Sequence, residues 1–248
     1  MNEKGLTRSG QGWFGRQLGD GLISSFVQIA GVWLLSDLGY YLLLPSLGID
    51  LGYNASPIPI TVYYLFWVGV AVILFWPVYV LWAQYARWPT FENRLASLAI
   101  WTLAFAGSVA FVGYVIPALP QIVWKESWAP DFVKAGSLYF LPKSADIVFQ
   151  QLLIVALTVV LAARSLSLLK ISLLTAAMFG GTHVLLIFGD VPVLYVARFM
   201  VSASLFGLLF PYLILRVRHG LAYSYMAHWG YYALSVVLPH VFLSSGSQ

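Results

Sequence analysis

The sequence predicts an all-α integral membrane protein, a bundle of about seven transmembrane helices with room for an eighth. Three observations carry this. Hydrophobic residues fill 60% of the 248 positions and charged residues only 9%, against roughly 25% charged in an average soluble domain. Mean hydropathy is +0.84. Several apolar runs reach the roughly 20 residues that a helix needs to cross a bilayer.

Residues 1–20 are polar and glycine-rich, with Lys4, Arg8 and Arg16. The apolar segment that follows is too long for a signal peptide and lacks a clear cleavage site, so it reads as an uncleaved first span behind a cytoplasmic tail. Spans are expected at 21–44, 60–84, 95–123, 146–169, 171–189, 193–215 and 221–243, forming one transmembrane domain over 21–243. Residues 244–248 form a short tail.

Lys and Arg in short loops set the orientation. The tail has three. Loop 45–59 has none, loop 85–94 has Arg87 and Arg94, and the turn at 164–170 has Arg164 and Lys170. Loop 190–192 has none, and loop 216–220 has Arg216 and Arg218. The alternation places the N-terminus inside and the C-terminus outside. Loop 124–145 runs against it, with Lys125, Lys134 and Lys143 beside Glu126 and Asp131. A re-entrant piece or eighth span near 135–145 would invert the end of the chain. The same loop holds Trp124, Trp128, Phe132, Tyr139 and Phe140, a mixture that suits a helix lying at the membrane interface. Trp13, Trp33, Trp67, Trp76, Trp82, Trp88 and Trp101 read mainly as interfacial belt residues. Asn54-Ala55-Ser56 matches a glycosylation sequon and carries no weight here.

Composition also excludes. Cysteine is absent, which removes disulfides, thiolate nucleophiles and thiolate metal sites. The net charge of +4 comes without the dense basic patch that nucleic acid needs. The sixth and seventh spans lack a lysine for a retinal Schiff base.

Ionisable groups at membrane depth point to function by default. His183 and His228 lie inside long apolar segments. Phe179 and His183 are four apart and share a helix face, as do His228 with Tyr232 and Asp146 with Gln150. A rise of 1.5 Å per residue puts Gln150, His183 and His228 at depths compatible with one polar pocket. Asp146 at its expected span end reads as a helix-terminal acid. Asp190 with Arg198 reads as a structural ion pair across a short turn, and Asp37 as a residue pairing with a neighbouring helix or lining a cavity.

Phe179-x-x-x-His183 resembles the second motif of the CAAX protease and bacteriocin-processing (CPBP) family of intramembrane proteases. His228 falls at the third motif, His-x-x-x-Asn, and the stretch from Gly207 to Leu221 has the look of the helix and basic turn before it. The first motif, Glu-Glu-x-x-x-Arg, falls on Gln150, Gln151 and Val155. The resemblance covers about residues 140–240 and implies a CPBP-like helical core and a bacterial cytoplasmic membrane.

Four positions depart from the pattern, Gln150, Gln151, Val155 and Tyr232. In the family, the glutamates and histidines are proposed to activate water for peptide hydrolysis. An amide at Gln150 or Gln151 holds a water but has no usable pKa for taking its proton. Tyr232 replaces the Asn. The expected reading is a catalytically inactive scaffold with no metal. It binds through a residual pocket of His183, His228, Gln150, Gln151, Phe179, Tyr232 and Asp146, as an accessory subunit for another integral membrane protein, a lipid or a pigment. Two alternatives remain. One is an active endopeptidase using Asp146, His183 and His228. The other is an electron-transfer subunit with haem on the two imidazoles.

Overall fold

The computed structural model describes residues 22–85, 91–120, 134–189 and 191–244, and all regular structure among them is helical. Helix α1 runs Leu22–Leu38 and continues through a π-turn, Gly39–Leu43, to a last turn at Leu44–Ser46. Helix α2 is Pro57–Leu74 and α3 is Trp76–Tyr85. Helix α4 is Phe91–Ala110, extended by a second π-turn at Phe111–Val115 and by Ile116–Ala118. A 3-10 turn, Ser137–Tyr139, leads into α5, Phe140–Ala163. Helix α6 is Leu168–Thr182 and tightens to 3-10 geometry over His183–Gly189. Helices α7, Val193–Arg216, and α8, Gly220–Ser244, complete the set.

Six of these segments are long and apolar enough to cross a membrane. The seventh expected span, α8, has the length at 25 residues but is less apolar, because it carries His228, Tyr231, Tyr232, His240 and several serines. The expected N-terminal tail, Arg87, Trp88, Asp190 and most of the expected interfacial helix, from Trp124 to Phe132, lie outside the described residues.

Two boundaries differ from expectation. The second span, read as 60–84, is two helices. Pro77 has no N–H to reach Ile73 O, and its ring crowds that carbonyl. Helix α2 therefore closes at Phe75, whose N–H reaches Ala71 O at 2.9 Å. The fourth span starts at Phe140, one and a half turns before residue 146. Lys143, Ser144 and Asp146 look like loop residues, but Lys143 and Asp146 pair at i,i+3 and so stay helical inside the bundle. No separate re-entrant piece exists at 135–145, and Lys143 is not a loop charge.

Helix α5 is the axis of the bundle. Its span is 78% buried, with Ile147, Leu153, Ile154, Val155 and Ala156 fully enclosed. A helix apolar on all sides belongs in such a centre, and α1, α2, α3, α6, α7 and α8 all contact it. Trp33 and Trp82, read as belt residues, belong to this core at 3% and 7% exposure. Trp33 stacks obliquely on Phe179, ring centroids 5.5 Å apart, and Trp82 donates to Ile214 O.

Helices α6 and α7 form the closest pair. A Cβ added at Gly207 would overlap the backbone of Ala176, and one at Gly180 would overlap Ser204 Oγ. Small residues permit this approach where lipid gives no hydrophobic drive between helices. Gly207→Val should therefore cost about 1–3 kcal/mol by overpacking. Gly107→Ala, with nothing near its Cβ position, should be neutral or stabilising, and thermal unfolding in detergent compares the two.

The α7–α8 turn holds the start of α4. Ser97 Oγ meets His219 Nδ1 at 2.8 Å, and Arg218 donates to Asn93. Partial burial, with Arg218 beside it, lowers the His219 pKa below the ordinary histidine value. The fold thus favours the neutral ring, so its contribution is full above that value and fades as pH falls below about 6.5. The unfolding temperature should drop on acidification through that value, and His219→Gln should flatten this part of the profile.

Candidate functional site

The polar centre is built on α5. Lys143 Nζ lies 2.8 Å from Asp146 Oδ2. Gln150, one turn on, donates to Asp146 Oδ1 at 2.7 Å. Tyr53, from the loop between α1 and α2, donates to Asp146 Oδ2 at 3.2 Å and lies 3.0 Å from Tyr64 Oη. The ammonium also sits against two rings, 4.6 Å from the centroid of Tyr53 and 4.3 Å from that of Tyr232. Such cation–π contacts stabilise a desolvated cation. Burial first, and Asp146 second, push the Tyr53 hydroxyl well above the ordinary phenol range, so it remains a donor.

Asp146 is therefore not a helix cap. It is 4% exposed, two turns inside α5, with three partners on its carboxylate. Asp37 is half-buried in α1 and makes no hydrogen bond or ion pair among the described residues. Asp190 lies outside them, so its expected pairing with Arg198 has no geometry here. Arg198 donates to Ser235 Oγ at 2.8 Å and lies over the ring of Tyr231 at 5.7 Å.

The histidines occupy a second, adjoining region. His183 sits where α6 tightens, and its Nδ1 donates to Phe179 O at 2.8 Å. A carbonyl only accepts, so the neutral ring keeps Nε2 as its acceptor. His228 is 2% exposed on α8. Its Nδ1 faces the amide nitrogen of Gln151 at 3.4 Å, while Ser224 Oγ lies 2.9 Å from Gln151 Oε1. The amide donates, so Nδ1 accepts and Nε2 carries the proton. The Phe179 ring touches both imidazoles, centroids 5.2 and 5.6 Å apart.

His183, His228, Phe179 and Tyr232 line one cleft of about 10 Å³. Gln150, Gln151 and Asp146 stand behind it and do not line it. The sequence also left out Ser202, Ala203, Phe199, Phe206 and Tyr231, which complete the wall. The Tyr231 hydroxyl is buried and finds no hydrogen-bond partner among the described residues. Two of these walls were within reach of the sequence, since Tyr231 neighbours Tyr232 and Phe199, Ala203 and Phe206 follow helical spacing on α7. Lys143 was signalled by its i,i+3 spacing from Asp146. Tyr53 comes from a loop and left no signal.

Chemically, the centre is short of base. Among the described residues no group of three or more His, Cys, Asp or Glu is placed to hold a metal ion, and no carboxylate bonds to either imidazole. Val155 is wholly buried in the core. Comparison with family models, curated proteins and solved structures returns no match.

Removing one partner of a buried ion pair strands the other charge, at a cost of about 3–5 kcal/mol. Lys143→Met should destabilise by that order. Lys143→Met with Asp146→Asn should recover much of the loss, because no charge is left stranded. Chemical denaturation of the two variants in the same detergent checks this.

Proposed function

We propose that this chain is a catalytically inactive relative of the CPBP intramembrane proteases that works by binding, as an accessory subunit for a membrane protein, a lipid or a pigment. One observation carries the reading. The side chains standing for the catalytic glutamates are amides: Gln150 gives its Nε2 to Asp146 and leaves its Oε1 buried without a partner among the described residues, and Gln151 meets His228 and Ser224. A general base needs a proton affinity near working pH and reach to the water. Asp146 is the one carboxylate on that helix face, and it is spent on Lys143, Gln150 and Tyr53.

The geometry also counts against haem between the imidazoles. Both rings abut Phe179 on one cleft of about 10 Å³, and His228 Nδ1 accepts from Gln151, which keeps the proton on Nε2, the nitrogen that would bind the iron. With Lys143 inside α5, the segment before it keeps Lys125 and Lys134 against Glu126 and Asp131. That weakens the one argument against a cytoplasmic N-terminus in a bacterial inner membrane.

The test reconstitutes the purified protein with a panel of membrane-embedded peptide substrates, beside a mild-detergent pull-down of the intact chain. No turnover is expected, and His183→Ala should leave that baseline unchanged while a stoichiometric membrane partner or bound pigment is retained. Cleavage that disappears in His183→Ala overturns the reading.

A further inference from the structure

We infer that the His183–His228 cleft takes the hydroxyl group of a long apolar alcohol, an inference that rests on the inactive binding-subunit reading. The cleft is the right size for one oxygen, since a cavity needs about 10–15 Å³ to hold a water-sized group, and this one measures about 10 Å³. Its polar atoms suit a hydroxyl. His183 leaves an acceptor at Nε2, and His228 leaves a donor at its own Nε2. The buried Tyr231 hydroxyl has no partner among the described residues. That hydroxyl has no accessible surface, so it stands behind the wall and not in the cleft. A hydroxyl both accepts and donates, and so suits both imidazole nitrogens.

The surroundings select the rest of the ligand. Phe179, Phe199, Phe206 and Tyr232 form the remaining wall, and no Lys, Arg, Asp or Glu lines it. A carboxylate or phosphate would therefore enter without a countercharge. Ser202 and Phe206 lie near the middle of the 24-residue α7. Their neighbours Val201 and Leu205 are 59% and 60% exposed and in a bilayer would face the acyl chains. The cleft thus borders the hydrocarbon region, far from phospholipid headgroups, which favours an alcohol arriving on an apolar chain over a solute from water.

The experiment photolabels the intact purified protein with a diazirine analogue of oleyl alcohol, beside matched analogues of oleic acid and of the parent hydrocarbon, and maps the labelled peptides. The alcohol alone should label cleft peptides of α6, α7 and α8. Unlabelled oleyl alcohol should compete. His183→Phe, which keeps a ring and removes the acceptor, should weaken that labelling roughly fivefold, as loss of one hydrogen bond of about 1 kcal/mol implies. Ser202→Leu, at the half-exposed mouth, should block it without touching the core. Equal labelling by alcohol and hydrocarbon, preference for the acid, or an unlabelled cleft that holds only a water each overturn the inference. A stoichiometric membrane partner without alcohol labelling also overturns it while leaving the accessory-subunit reading intact. Turnover lost in His183→Ala strikes that reading instead.

Discussion

The bundle depends on one buried ion pair. Lys143 and Asp146 are 7% and 4% exposed within the most enclosed helix of the molecule. Neither charge survives alone at membrane depth. Together they are tolerated because each is saturated. The lysine has a carboxylate and two tyrosine faces, and the carboxylate has an ammonium, an amide and a phenol. The pair lets α5 begin six residues earlier than its hydropathy indicates. It also draws in the α1–α2 loop through Tyr53. That loop is held further by Asn54, which accepts from Gly136 N at 3.0 Å, and by Tyr40, which donates to Leu51 O. The sequon at Asn54 thus has a structural use.

The same pair shapes the chemistry beside it. Asp146 sits one turn from Gln150 on the face turned toward the histidines, and it is the group best placed to serve as a base. The lysine and two further donors occupy both of its oxygens. Gln151 then meets His228 as an amide and orients that imidazole. A carboxylate at the same place would favour the imidazolium.

Much of this was legible from residue spacing. The helical class follows from composition, and Phe179, His183, His228 and Tyr232 reach one cleft as their four-residue periods predict. Helix α5 was misplaced for a physical reason. Hydropathy counts Lys143 and Asp146 as separate penalties, whereas three residues apart on a helix they cancel. Asp146 was accordingly taken for a terminal acid. The break at Phe75 was available from Pro77. Contacts across distant segments, such as Tyr53 with Asp146 or Ser224 with Gln151, leave no periodic trace, and only the folded arrangement reveals them.

Helix α4 raises a different question, because only 6% of its span is buried. In water such an apolar helix would collapse onto the bundle. In lipid it gains little from doing so, since acyl chains solvate Leu103 and Phe105 as well as another helix would. What seats it must be contacts that lipid cannot replace, and these gather near its two ends. Ser97 meets His219 and Asn93 meets Arg218 at one end. At the other, Val112 O accepts from Ser137 Oγ at 2.9 Å, and His240 Nδ1 meets Pro120 O at 2.9 Å. Between them Trp101 packs on Tyr225, ring centroids 5.2 Å apart. Among the described residues the helix is therefore fastened by polar ties near its ends and by a few ring contacts, Trp101 on Tyr225 and Phe111 on Phe140 and Trp229.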